Sequence, residues 1–223
     1  MTEIRFSTDD HVSLQADLRI PNGGPVAAAV VCHAHPRHGG SKDHPVLWAM
    51  RTELAARSFV VLGFNFRGVM SSGGTYGGGW TEVRDLVAAI GRVRDETDGP
   101  LLVCGWSFGA NVAMREAVSD ERVSALAVVG PPLDPHDVAV PPLPAPSELR
   151  SFRRPVLLLA GEADVYAPRP RLESLAETLP SAELVILPGT DHFLWRREHE
   201  AGAAVGDFAV RALGLDQRSS SDR

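Results

Sequence analysis

Ser107 lies at the centre of Gly105-Trp106-Ser107-Phe108-Gly109. The apolar run 100–104 precedes this pentapeptide, and a segment with helical spacing, 110–118, follows it. A serine between glycines, where a strand turns into a helix, is the sequence form of a nucleophile held on a strained bend. A Cβ at either flanking glycine would clash across so tight a turn. The hydroxyl is a poor nucleophile until a base takes its proton and a third group orients that base. Two later loops offer such partners. Gly161-Glu162-Ala163-Asp164 follows the apolar run 156–160, and Pro188-Gly189-Thr190-Asp191-His192 follows the run 184–187. His192 suits the base and Asp164 its orienting acid. Glu162 and Asp191 are rivals for the acid. Glu162 falls within the strand exit, whereas Asp191 adjoins the histidine and suits a hydrogen bond to its own loop. Read singly, an aspartate after a strand is a helix cap and a loop histidine is inert. Three such loops in the order Ser, Asp, His, each at a strand end, favour acyl transfer.

The elements that must position these groups follow from the spacing of apolar residues. Residues 3–8 and 12–20 alternate as a half-exposed antiparallel pair joined at Asp9-Asp10. Runs 26–32, 59–66, 123–129, 156–160 and 184–187 are nearly continuous in apolar residues, the pattern of strands covered on both faces. Helical periodicity appears over 45–57, around Val83–Val93, behind the pentapeptide, around Leu172–Leu179 and over 201–212. Strand and helix alternate from residue 26 onward, which predicts a parallel sheet covered by helices on both sides. Right-handed crossovers then gather the carboxyl ends of the strands, and the site, on one edge. Residues 131–150 carry seven prolines between Pro131 and Pro146. That composition predicts an extended excursion with no regular element. The expected organisation is one domain over residues 1–215 and a disordered tail over 216–223.

The chain resembles the small α/β-hydrolases that carry an H-x-H-P loop, an N-F-R-G strand end and a G-x-S-F-G-A elbow. Here these read His33-Ala34-His35-Pro36, Asn65-Phe66-Arg67-Gly68 and Gly105-Trp106-Ser107-Phe108-Gly109-Ala110, and Gly189–Phe193 matches a G-x-D-H-F segment. The resemblance, from about residue 26 to 213, implies an α/β-hydrolase fold: a mostly parallel central sheet, an antiparallel N-terminal hairpin, helices on both faces and a minimal cap. It also implies a serine hydrolase triad of Ser107, Asp164 and His192. One residue departs from the pattern. Met70 stands where the family's R-G-x-G-x-S loop has glycine, which puts the conformation of that turn in question. An oxyanion hole needs two backbone N–H groups. Phe108, next after the nucleophile, supplies one. Pro36 has no N–H, so His35 is the better source of the second and Ala34 the next. His33, Trp106, Trp195 and Tyr76 are candidates to line a substrate pocket, and Trp80 is a further one; ordinary packing competes for each.

A net charge of −6 without basic clusters argues against nucleic acid or an anionic membrane surface as partner. No stretch is apolar over the length needed to cross a bilayer. Cys32 and Cys104 both end apolar runs, which suits buried reduced thiols and a cytoplasmic enzyme. His33, His35, His38 and His44 invite a metal reading, since H-x-H can chelate. The elbow needs no metal, however, and His35 already has a use. No metal or cofactor is therefore expected. The leading expectation is a carboxylesterase-like enzyme acting on a small acyl substrate. A thioesterase or peptidase could use the same three groups, and a hydrolase-fold binding protein without activity is the reading from another class. A dehalogenase would need aspartate in place of Ser107. The oligomeric state is left open.

Overall fold

The computed structural model describes residues 1–134 and 138–215; the expected tail over 216–223 lies outside the described residues. The strands are β1 (Thr2–Ser7), β2 (Ser13–Arg19), β3 (Ala27–Cys32), β4 (Phe59–Phe64), β5 (Leu101–Trp106), β6 (Ala125–Val129), β7 (Val156–Gly161) and β8 (Ala182–Leu187). They form one eight-stranded sheet in the order β1-β2-β4-β3-β5-β6-β7-β8. The β1–β2 and β2–β4 pairs are antiparallel, and every other pair is parallel.

Strands β3 to β7 are buried along their whole length, whereas β8 at the edge is half-buried. This is why the inner strands read as unbroken apolar runs: helices cover them on both faces. Helices α1 (Pro45–Ala56) and α6 (Glu198–Ala212) pack on one face through Val46, Leu47, Met50, Leu54, Val205 and Phe208. Helices α2 (Thr81–Arg94), α3 (Phe108–Ala117) and α5 (Arg169–Thr178) cover the other through Leu86, Ile90, Val112, Met114 and Leu172. Fully burying each such side chain contributes about 1.5–3 kcal/mol. The chain runs from β3 outward to β4 and then returns to the other side of β3 as β5. The loops leaving β3 and β5 therefore diverge, and a crevice opens at that edge of the sheet.

The proline-rich segment differs from expectation at its end. Residues Pro146–Ser151 form a short helix, α4. Proline is tolerated in a first helical turn because its missing N–H would have no partner there. Glu148 reaches back to accept the Ala145 N–H at 2.6 Å, which closes that turn. Before α4, residues 138–145 form a strap with main-chain carbonyls held by side chains from the body of the protein. Asn111 Nδ2 donates to Pro141 O at 3.0 Å and Arg115 donates to Pro142 O at 3.0 Å. His35 Nε2 and the Tyr76 hydroxyl both donate to Ala139 O, at 2.8 and 3.2 Å.

The turn after β4 keeps the shape that glycine would give it. Met70 has φ 49°, in the left-handed region, and its side chain is 75% exposed. Hydrogen bonds from Val69 N to Phe66 O and from Ser72 N to Val69 O hold the backbone on either side. A left-handed L-residue costs about 1–2 kcal/mol, and glycine's greater freedom in the unfolded chain offsets roughly half of that. Replacing Met70 with Gly is therefore expected to raise stability by about 0.5–1 kcal/mol, read as a higher urea midpoint. A lower midpoint would show that the exposed side chain contributes packing.

Candidate active site

Strand β5 ends at Ser107, whose φ of 56° and ψ of −124° put it in a region that L-residues rarely occupy. The bend is held because Ser107 N donates to Val129 O at 2.8 Å and Ala110 N donates to Ser107 O at 2.8 Å. Both flanking glycines are required by backbone contact. A Cβ on Gly105 would run into the Gly109 carbonyl, and one on Gly109 would lie 2.5 Å from both Cys32 O and His33 O. The start of α3 thus rests directly on the end of β3, with no side chain between them.

Asp164 follows β7 and is almost fully buried. Its Oδ1 accepts the N–H groups of Tyr166 and Ala167 at 2.9 and 3.0 Å, which leaves Oδ2 for His192 Nδ1 at 2.8 Å. His192 Nε2 lies 2.9 Å from Ser107 Oγ. A carboxylate only accepts, so the proton between Asp164 and His192 sits on Nδ1, and Nε2 is left to accept from the serine. The ring is fixed by Tyr166, Phe193 and Trp106, with centroids at 4.8, 5.7 and 5.8 Å, and the indole N–H of Trp106 donates to His192 O. The two loops meet because Gly161 lets the Thr190 and Asp191 carbonyls approach, and Ala163 N donates to Thr190 O at 2.9 Å. The rival carboxylates face elsewhere. Glu162 accepts from Gly189 N, and Asp191 accepts from Phe193 N within its own loop.

His35 and Phe108 are side by side, with ring centroids 5.1 Å apart. Phe108 is the first residue of α3, so its N–H has no carbonyl within the helix to meet. The His35 carbonyl accepts from His38 N and Gly40 N, both at 3.1 Å.

A cavity of about 320 Å³ opens over Ser107. Trp106, His192 and Phe193 form one part of its wall, and Pro132 with Val138 and Val140 of the strap another. Of the other proposed lining residues, three stand apart from this wall. His33 is fully buried beneath the loop that follows β3. Its Nδ1 donates to Ala34 O at 2.6 Å and its Nε2 accepts from Phe66 N at 2.9 Å, so it joins the exits of β3 and β4. Trp195 is 68% exposed and is not one of the residues lining the cavity. Tyr76 is spent on Ala139 O and packs against His35 and Phe108. Trp80 lies outside too, beneath the Arg115 guanidinium at 4.2 Å. Among the described residues, no group of three or more histidines, cysteines and carboxylates is arranged to hold a metal ion.

Gly130 is a site residue that the sequence reading misses. It follows β6 with φ 51°, and a Cβ there would lie 3.1 Å from Asp164 Oδ2 and 3.3 Å from His192 Nδ1. Only its position after a strand and before two prolines hints at a special backbone.

The serine-bearing elbow, the sheet edge and the aligned acid and imidazole define a hydrolase-fold protein. A model of the alpha/beta hydrolase domain matches residues 27–208, and the chain belongs to that family. It is similar to an uncharacterized protein of Rickettsia prowazekii, 26% identical over 82% of this chain and 78% of the relative. It is also similar in structure to a Xanthomonas campestris serine hydrolase described as lacking a lid. That protein is 27% identical, with TM-score 0.78, over 95% of this chain and 94% of the other. A Coxiella burnetii serine hydrolase homologue is 25% identical, also with TM-score 0.78, over 92% and 96% of the two chains. No helix among the described residues is long and apolar enough to cross a membrane.

Two outcomes test this geometry. Substituting Ala for Gly130 should push Asp164 and His192 apart and lower kcat at least tenfold while the circular dichroism spectrum is retained, since about 1.4 kcal/mol of lost alignment suffices. Burial pushes the His33 imidazole down to about 4. Its ring resonances should therefore stay at their neutral positions from pH 8 to pH 5 in NMR spectra. The folded value lies below the unfolded one, so the stability linked to this ring is complete above about pH 6.5 and is lost as pH falls toward 4.

Proposed function

We infer that the protein is a serine hydrolase that cleaves a small carboxylic ester through an acyl-enzyme. The observation that carries this reading is the hydrogen-bonded line from Asp164 through His192 to Ser107, at 2.8 and 2.9 Å. In this mechanism Ser107 Oγ attacks the ester carbonyl carbon as its proton passes to His192 Nε2. Asp164 keeps the imidazole in the required tautomer and stabilises its cation. The negative oxygen of the tetrahedral intermediate takes hydrogen bonds from the Phe108 and His35 N–H groups. Collapse expels the alcohol, which carries off the proton from Nε2. A water molecule, deprotonated by the same nitrogen, then releases the acid and restores the hydroxyl. Side chains and backbone of this chain supply every step.

The kinship with the Xanthomonas and Coxiella serine hydrolases supports the class. The choice of ester over peptide rests on the cavity. It is compact, and Trp106, Pro132, Val138, Val140 and Phe193 give its wall an apolar part suited to a small acyl group. A small acyl compound, and not nucleic acid or a membrane surface, is the partner in this reading, consistent with a net charge of −6. Two buried free thiols suit the reducing cytoplasm as its compartment.

A fluorophosphonate probe tests the nucleophile. It is expected to label the wild type at Ser107 and to leave the Ser107→Ala variant unlabelled. On p-nitrophenyl esters, Asp164→Asn should keep the fold and lose about 10⁴ in kcat through the wrong tautomer. Absence of labelling in folded wild type, together with no turnover, would favour a binding protein.

A further inference from the structure

The polar groups in the cavity wall are almost all spoken for. His192 is shared between Asp164 and Ser107, and the Trp106 N–H is given to His192 O. His35 accepts Arg37 N at Nδ1 and donates from Nε2 to Ala139 O. His38 is exposed, with its ring edge-on to His35, and among the described residues neither of its ring nitrogens is held.

His44 is different. It caps α1: its Nδ1 accepts the Val46 N–H at 3.3 Å, which puts the ring proton on Nε2. The ring lies over Trp106 at 4.2 Å with 32° between the planes, so its direction is fixed. Burial lowers its pKa below the usual histidine value, opposed by the Glu198 carboxylate, and the ring is neutral at pH 7. Among the described residues, Nε2 has no hydrogen-bond partner. His44 thus contributes to the Ser107 cavity one oriented, neutral donor that the fold itself does not use.

We propose that His44 is a specificity-determining residue whose Nε2–H binds a second, uncharged oxygen of the substrate, selecting esters that carry an ether, hydroxyl or keto group. This rests on the ester-hydrolase reading above. A neutral oxygen matches the site because an uncharged imidazole donor, beside the apolar Trp106, Phe193, Pro132, Val138 and Val140, compensates poorly for burying a carboxylate. An ester without that oxygen leaves the donor unpaired once water is displaced, and this is the source of discrimination.

The test compares isosteric pairs that differ only in an oxygen for a methylene. On the acyl side the pair is p-nitrophenyl methoxyacetate and p-nitrophenyl butyrate. On the alcohol side it is 2-methoxyethyl acetate and butyl acetate. His44→Asn keeps an acceptor to cap α1 but cannot extend a donor as far as the imidazole does. His44→Phe keeps an aromatic face on Trp106 and has no donor. The ratio of kcat/KM for the oxygenated ester to that for its partner is expected to fall about five- to tenfold in both variants, in at least one pair. Taking the ratio against wild type cancels the intrinsic reactivity of each ester and any general loss from the helix cap. Ratios within twofold of wild type in both pairs would overturn the assignment while leaving the esterase intact. Failure of wild type to turn over any of the four esters would remove the ester reading, and this assignment with it.

Discussion

The backbone contact at Gly109 is the constraint on which the rest of the site depends. Because nothing projects from that residue, the first turn of α3 lies against the carbonyls of Cys32 and His33 at the end of β3. This sets Phe108 beside His35 and brings the amide that begins the helix next to the loop leaving the neighbouring strand. It also forces the chain through the unfavourable backbone at Ser107, at a cost of about 1–3 kcal/mol. Sheet hydrogen bonds on either side of β5 hold that strain, including the one from Ser107 N to Val129 O. The hydroxyl is therefore placed by the sheet and not by its own rotamer preference alone.

A second layer of fixed contacts surrounds this arrangement. His33 bridges the exits of β3 and β4 from below. Arg67, leaving β4, binds Asp85 of α2 and Asp10 of the β1–β2 turn, and its guanidinium holds the Asp10 carboxyl well below the usual range. Glu82 of α2 accepts the N–H groups of Gly77 and Gly79, which ties down the glycine-rich loop between β4 and α2. Lys42 and Arg51 converge on the buried Asp17, joining α1 and the segment before it to β2. The loops at the functional edge are thus pinned by charge-assisted hydrogen bonds, which are stronger and more directional than neutral ones.

Much of the fold is legible in the sequence because β3 to β7 are covered on both faces and must be apolar throughout. The Ser107, Asp164 and His192 positions are legible because each loop leaves the same edge of the sheet, which makes chain order informative. What sets Asp164 apart from Glu162 and Asp191 is hydrogen-bond geometry, which the sequence does not carry. Glu162 and Asp191 each accept one loop N–H, from Gly189 and Phe193, whereas Asp164 is oriented by the N–H groups of Tyr166 and Ala167 with its second oxygen on His192. What escapes the sequence is whatever depends on direction alone. His33 and His44 both belong to a histidine-rich stretch, yet one turns beneath the loop and the other into the cavity. Trp195 follows Leu194 and precedes Arg196, both with positive φ, and this backbone, which composition does not encode, carries the indole outward. The helix at Pro146 is hidden because proline density reads as irregular even where one proline starts a helix.

The proline-rich strap is fastened through its carbonyl oxygens at Ala139, Pro141 and Pro142. Every amino acid carries that oxygen, so these fastenings are indifferent to which side chains the strap presents. Pro132 and Val138, which face the cavity, can therefore be exchanged without untying the segment, whereas Val140 also packs against the core. The prolines add to this freedom, since each removes an amide that an irregular chain would have to satisfy. Such a scaffold separates the part of the molecule that performs the chemistry from the part that chooses its substrate, and lets the second diverge while the first stands still.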